Sequence, residues 1–107
     1  MISYENFKAL DIRVAEIKSV RDHPNADRLL VLDVDVGGEI KQIVAGIKAA
    51  YGKDELIGKS IVVLNNLEPV ALRGEASNGM LLAASEEDGL PVLISPEKNI
   101  SPGARVK

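Results

Sequence analysis

The residues able to do chemistry gather in one stretch, Asn65 to Ser85, which reads NNLEPVALRGEASNGMLLAAS. It offers asparagine amides, the Ser77 hydroxyl, the Arg73 guanidinium and backbone N–H groups around Gly74 and Gly79. Such groups hold a ligand by hydrogen bonds and charge. A nucleophile, by contrast, needs a base within hydrogen-bond reach. Ser77 has no base near it in the sequence and no G-x-S-x-G frame around it, so it reads as a turn residue or a hydrogen-bond contact. His23, the only histidine, stands before Pro24 in a turn sequence. A hydrolase assembled from Ser77, Asp27 and His23 is the third-ranked reading, because nothing in the sequence brings the three together. One imidazole and no cysteine make a poor zinc site. Asp33 and Asp35 superficially resemble part of a calcium loop, but the later acidic ligand is missing. The expectation is a binding surface with no catalytic residue, no metal and no cofactor.

Composition bounds the partner. The 107 residues suit one domain, 1–107, with an aliphatic core: 46% are hydrophobic, with one Phe, two Tyr and no Trp. Zero cysteines exclude a disulfide framework and suit a reducing cytoplasm. No basic-then-apolar leader opens the chain and no apolar run is long enough to span a membrane, so neither a signal peptide nor a membrane partner is expected. Thirteen Lys/Arg against sixteen Asp/Glu give a net charge of −3, without a basic run. Nucleic-acid affinity rests largely on neutralising phosphates. Any such function must therefore come from a few cations placed on one face.

The elements that must position these residues are short strands. Ser3 can cap a helix through Tyr4, Phe7 and Leu10. In Asp11–Val20, apolar residues at 12 and 14 alternate, then slip a register before 17, which predicts a bulged, curved strand. Arg21–Asp27 is a turn. Leu30, Leu32, Val34 and Val36 alternate cleanly, Gly37-Gly38 signals a hairpin, and Glu39–Ala45 returns. Lys53–Ile57 is one helical turn closed by Gly58. Ile61–Leu64 and Met80–Ala84 read as buried strands, Glu86–Gly89 as a solvated turn, and Pro91–Ile94 as a short strand before an extended tail. The pattern is all-β: a five-stranded OB-fold barrel with short helices and a C-terminal extension, whose loop between strands four and five is the Asn65–Ser85 stretch.

Phe7–Val14 (FKALDIRV), His23–Leu29 (HPNADRL), Asp33–Ala45 (DVDVGGEIKQIVA), Asn66-Leu67 and Leu72–Ala84 (LRGEASNGMLLAA) resemble the tRNA-binding OB domain. That family includes the C-terminal domain of methionyl-tRNA synthetases, free-standing structure-specific tRNA-binding proteins and the endothelial-monocyte-activating polypeptide type. The ending, GLPVLISPEKNISPGARVK, is most similar to the synthetase type. The resemblance covers 6–107. It implies a barrel that grips the tRNA elbow through backbone and shape, which suits folded RNA, where shape and 2′-OH contacts outweigh base-edge readout. It also implies a homodimer, and an aminoacyl-tRNA synthetase as a further partner. The family's Ser-x-Gly-Met element falls on Ser77, Asn78, Gly79 and Met80, its loop asparagine on Asn66, and its basic strand positions on Arg28 and Lys41. With Arg73, these make the expected nucleic-acid contacts.

The loop departs from its relatives, which commonly read Asn-Leu-Lys-Pro-Arg-Lys where this chain has Asn66-Leu67-Glu68-Pro69-Val70-Ala71. Three cations are gone and one acid is added. Losing two or three phosphate contacts weakens binding by roughly ten- to a thousand-fold at moderate salt. The alternative reading is therefore an assembly module, dimerising or docking a synthetase, with weak or lost RNA binding.

Overall fold

The computed structural model describes residues 1–107. A short helix, α1 (Tyr4–Lys8), is started by Ser3, whose hydroxyl accepts from the Asn6 N–H at 3.1 Å. Strand β1 (Ile12–Asp22) follows, then β2 (Leu30–Asp35) and β3 (Ile40–Ala45). A helical turn, α2 (Lys53–Leu56), leads to β4 (Ser60–Leu64). Six short strands complete the chain: β5 (Val70–Leu72), β6 (Glu75–Ser77), β7 (Met80–Leu81), β8 (Ala83–Ala84), β9 (Val92–Leu93) and β10 (Arg105–Val106).

The main sheet runs β3-β2-β1-β4-β7, all antiparallel, with β10 added beside β1. It curls until β3 meets the β6–β7 segment, where the Asn78 N–H donates to the Gln42 carbonyl at 2.8 Å. The result is a nearly closed five-strand barrel of the OB type, as the strand pattern predicts. Its curvature comes from β1, which pairs with β4 over Ile12–Glu16 and with β2 over Glu16–Asp22. The register shifts between Ile17 and Ser19. The bulge thus lies one residue after Ile17 rather than before it. Ala15 and Ile17 point into the core, and beyond the bulge Val20 packs against the same core, so the extra residue changes the inward parity from odd to even.

Leu30, Leu32, Val34 and Val36 all join the buried cluster, together with Ile43, Ala45, Ile47, Leu56, Ile61, Val63, Leu81 and Leu93. Val14, on the opposite face of β1, is buried for another reason. The C-terminal segment crosses it: Gly103 N–H donates to the Val14 carbonyl at 2.7 Å, and Val14 N–H to Ala104 at 2.9 Å. The tail expected to be extended is therefore stitched to β1 as β10.

Two expectations change at the end of the barrel. Met80–Ala84 is two strands rather than one buried strand. Met80 is 45% exposed, Leu81 lies in the core, and Ala83–Ala84 leave the barrel to pair with Val92–Leu93. Leu82 makes the transition, its N–H donating to Val62 and its carbonyl accepting from Ile94. The stretch read as one long loop also contains a hairpin, β5–β6, in register Val70–Ser77, Ala71–Ala76 and Leu72–Glu75.

The C-terminal crossing depends on two facing glycines. A Cβ on Gly103, which has φ +92°, would stand 2.7 Å from the Gly37 Cα. Gly103→Ala is expected to lower stability by about 1–3 kcal/mol, from backbone strain together with steric overlap. Urea unfolding measures it, and an unchanged midpoint would contradict the crossing.

Candidate nucleic-acid interface

The register of β5–β6 leaves only Arg73 and Gly74 as the loop, with φ +53° and +94°. Positive φ at both central residues is the type I′ pattern, whose twist matches a two-residue hairpin. Glycine or asparagine normally fills the first of these positions. Arginine in the left-handed region costs about 1–2 kcal/mol, and Arg73 is the only non-glycine residue here with positive φ. The hairpin tip leans on the β1–β2 turn, where the Asn25 side-chain amide donates to the Arg73 carbonyl at 3.4 Å. At its side, Arg21 pairs with Glu75.

The hairpin base closes the barrel. Ser77 is 3% exposed, and its hydroxyl accepts from the Val44 N–H and donates to the Gly79 carbonyl, both at 3.0 Å. The Gln42 amide donates to Ala76 beside it. Gly79 must be glycine: φ is +140° and an added Cβ would lie 3.0 Å from the Leu64 carbonyl. Ser77 therefore spends its hydroxyl inside the fold and presents no group to a ligand.

Asn66 is exposed as a residue, yet both ends of its amide are engaged. Oδ1 accepts from the Asp11 N–H at 2.9 Å, and Nδ2 donates to the Ala9 carbonyl at 2.8 Å. Its neighbour Asn65 donates to the Asp11 carboxylate, which also receives Arg13. The Asn65 bond leads in holding the Asp11 carboxyl below the usual aspartate range. Lys41 Nζ donates to the Asn65 carbonyl at 2.9 Å and keeps its two other protons free. These contacts fix the exit of β4 to α1 and β1.

What remains for a ligand is charge. Arg13, Lys18, Arg21, Lys48, Lys53 and Arg105 each pair with a carboxylate. Arg28, Lys41 and Arg73, around the hairpin, do not, and neither do Lys59, Lys98 and Lys107 elsewhere in the chain. Arg28 and Arg73 line one concavity with Asn25, Ala26, Asp27 and Leu29. Lys41 lines a second, with Gln42, Asn66, Glu68 and Asn78 among its walls. The β5–β6 hairpin connects the two, its base against β3 and its tip against the β1–β2 turn. Asn78 is half-buried, and Met80 presents an exposed apolar side chain next to it. Thus the three predicted cations, Asn78 and Met80 stay available around the hairpin, while Ser77 is buried and the exposed Asn66 spends its amide on the α1–β1 connection.

His23, which sequence reasoning left as a turn residue, is 6% exposed. Nδ1 accepts from the Asn25 N–H at 2.9 Å, so Nε2 carries the proton and donates to the Leu72 carbonyl at 2.8 Å. Neither His23 nor Ser77 contacts the other; each is satisfied by backbone. The sequence holds the signal for this role only in the spacing of His23 and Asn25 around Pro24.

The family described as "Putative tRNA binding domain" matches residues 12–105. The chain belongs to that tRNA-binding domain family. It is 50% identical over 108 residues to a methionine–tRNA ligase of Nanoarchaeum equitans, covering 100% of this chain but 14% of that ligase. Among solved structures, a MetRS-related protein from Pyrococcus horikoshii superposes with a TM-score of 0.93 at 33% identity, over 100% of this chain and 98% of the other. The chaperone CsaA from Bacillus anthracis superposes at 0.91 with 29% identity, over 100% and 99%. The tRNA-binding family match takes in every barrel strand together with Arg28, Lys41 and Arg73.

Removing the seam hydroxyl tests its inward role. Ser77→Ala leaves the Val44 N–H without its acceptor and is expected to cost about 1–3 kcal/mol of stability. Denaturant titration checks it; a stability within about 0.3 kcal/mol of wild type would contradict closure through Ser77.

Proposed function

We propose that this chain is a non-catalytic, structure-specific tRNA-binding module, free-standing or the C-terminal domain of a synthetase. It grips the tRNA elbow through backbone and shape and works in the cytoplasm. One observation carries the reading. Of the cations near the hairpin, Arg28, Lys41 and Arg73 have no carboxylate partner, and they bracket a hairpin held rigidly by the barrel seam. Guanidinium groups suit phosphate because their planar donors fit two oxygens at once. Lys41 adds a point charge beside Asn66, and Met80 adds an apolar contact. No base-reading set of side chains accompanies them, which suits recognition by shape and sugar-phosphate backbone. The family membership supports tRNA as the partner, and Glu68, Val70 and Ala71 keep the affinity modest.

Titration with folded tRNA at about 50 and 200 mM salt tests the proposal. Three phosphate contacts predict a loss of roughly twenty- to fortyfold between the two conditions. Arg73→Asn, which suits the left-handed turn position while removing the charge, should weaken all tRNAs alike and lower the salt slope by about one unit. Equal binding of unstructured RNA of the same length would refute the shape reading.

A second reading, assembly, is favoured by a separate observation. Tyr4, Leu10 and Val106 are exposed around one groove at the α1 and β10 end, and Leu90, Val92, Ile94 and Ile100 are exposed along the C-terminal segment. A homodimer pairing these surfaces would present two tRNA sites and offer a synthetase a docking face. Sedimentation velocity separates the cases: a stable dimer without RNA affinity favours assembly alone, and a monomer removes the dimer.

A further inference from the structure

His23 is buried and hydrogen-bonds to backbone through both ring nitrogens, and it stands behind the one strained arginine of the proposed interface. Its Nε2–H bonds the Leu72 carbonyl, immediately before Arg73. Its Nδ1 receives the Asn25 N–H, and the Asn25 amide in turn reaches the Arg73 carbonyl. The imidazole is therefore a rigid spacer between the β1–β2 turn, which carries Arg28, and the β5–β6 tip, which carries Arg73. Pro24 stiffens the turn on one side. The type I′ loop stiffens the other.

We propose that His23 is a positioning residue for RNA binding: it docks the hairpin tip on the β1–β2 turn so that the Arg28 and Arg73 guanidiniums face a single phosphate-bearing ligand together. The inference rests on the reading of Arg73 as a phosphate contact. A hairpin of three residues per strand is marginal by itself. At its base β6 is secured to β3 through Ser77 and Gln42, whereas its tip is held by His23 and Asn25, with the Arg21–Glu75 ion pair at its side. Without that dock, Arg73 would sample many positions and lose the entropy advantage of a fixed pair. The two ring nitrogens can be separated chemically. His23→Gln keeps a donor near the Nε2 position, toward Leu72. His23→Asn keeps an acceptor near Nδ1, toward Asn25, and removes the donor to the Leu72 carbonyl.

A double-mutant cycle with tRNA at about 0.1 M salt tests this. Arg73→Asn should weaken binding roughly five- to tenfold, the contribution of one phosphate contact. His23→Asn should weaken it by a similar factor in the wild-type background and by less than about twofold when Arg73 is already asparagine, while His23→Gln retains most of the affinity. Additive losses, or equal losses for the Asn and Gln variants, would overturn the positioning role. No effect of Arg73→Asn by itself would instead overturn the phosphate reading on which it rests. If His23→Asn does not fold, Asn25→Ala takes its place in the cycle, removing only the exposed amide on the Arg73 carbonyl. Loss that vanishes in the Arg73→Asn background supports the dock, and loss that persists there contradicts it.

Discussion

A small β-barrel has one seam where the strands must meet after a full turn, and every other feature of this protein depends on how that seam is held. Here a continuous backbone ladder gives way to a mixed set of bonds between β3 and the β6–β7 segment. The Asn78 N–H supplies one backbone bond to Gln42, the buried Ser77 hydroxyl substitutes for a backbone acceptor at Val44, and the Gln42 amide reaches Ala76. An unsatisfied buried N–H costs about 1–3 kcal/mol, so a single hydroxyl here is significant against the few kcal/mol that stabilise a small domain. Because the seam lies at the base of β5–β6, closing the barrel and erecting the hairpin are one event.

The same economy governs the other polar groups of the Asn65–Ser85 stretch. Asn65 and Asn66 look like recognition residues by type, but their amides bind Asp11 and Ala9 and so anchor the chain as it leaves β4. The outward-facing chemistry is reduced to three cations, a half-buried amide and a methionine. That division makes physical sense for an RNA partner. Hydrogen-bonding amides are most useful where water is excluded, whereas charges act on phosphates across a wet interface, with an affinity set by counterion release.

Much of the fold was legible because it follows from period-two burial. Leu30, Leu32, Val34 and Val36 announce β2 without ambiguity, and Gly37-Gly38 announces its hairpin. The curved first strand is visible as a break in alternation, but the break falls after Ile17 and not before it, since Val14 is buried by the C-terminal crossing rather than by the core. Such a contact joins residues ninety positions apart and leaves no local mark. The β5–β6 hairpin was hidden for a related reason: its turn uses Arg73 where Asn or Gly would have advertised it. At the site, residue type showed which groups could bind RNA but not which were already occupied. Ser77 and Asn66 have the right chemistry, but partners distant in sequence, Val44 and Asp11, already engage them. Residue type says nothing of His23, because its role lies in two backbone bonds, one of them to Leu72.

The central claim is that RNA meets this barrel at the hairpin and the β1–β2 turn, through Arg28, Lys41 and Arg73. Amide and arginine side-chain NMR shifts during titration with folded tRNA test it most directly. The account predicts perturbations concentrated at Asn25–Leu29, Lys41–Gln42 and Leu72–Met80, with the Arg28 and Arg73 side-chain signals moving together. Perturbations confined to Ala83–Ile94 and α1, with those arginines unmoved, would contradict it and place the binding surface away from the hairpin.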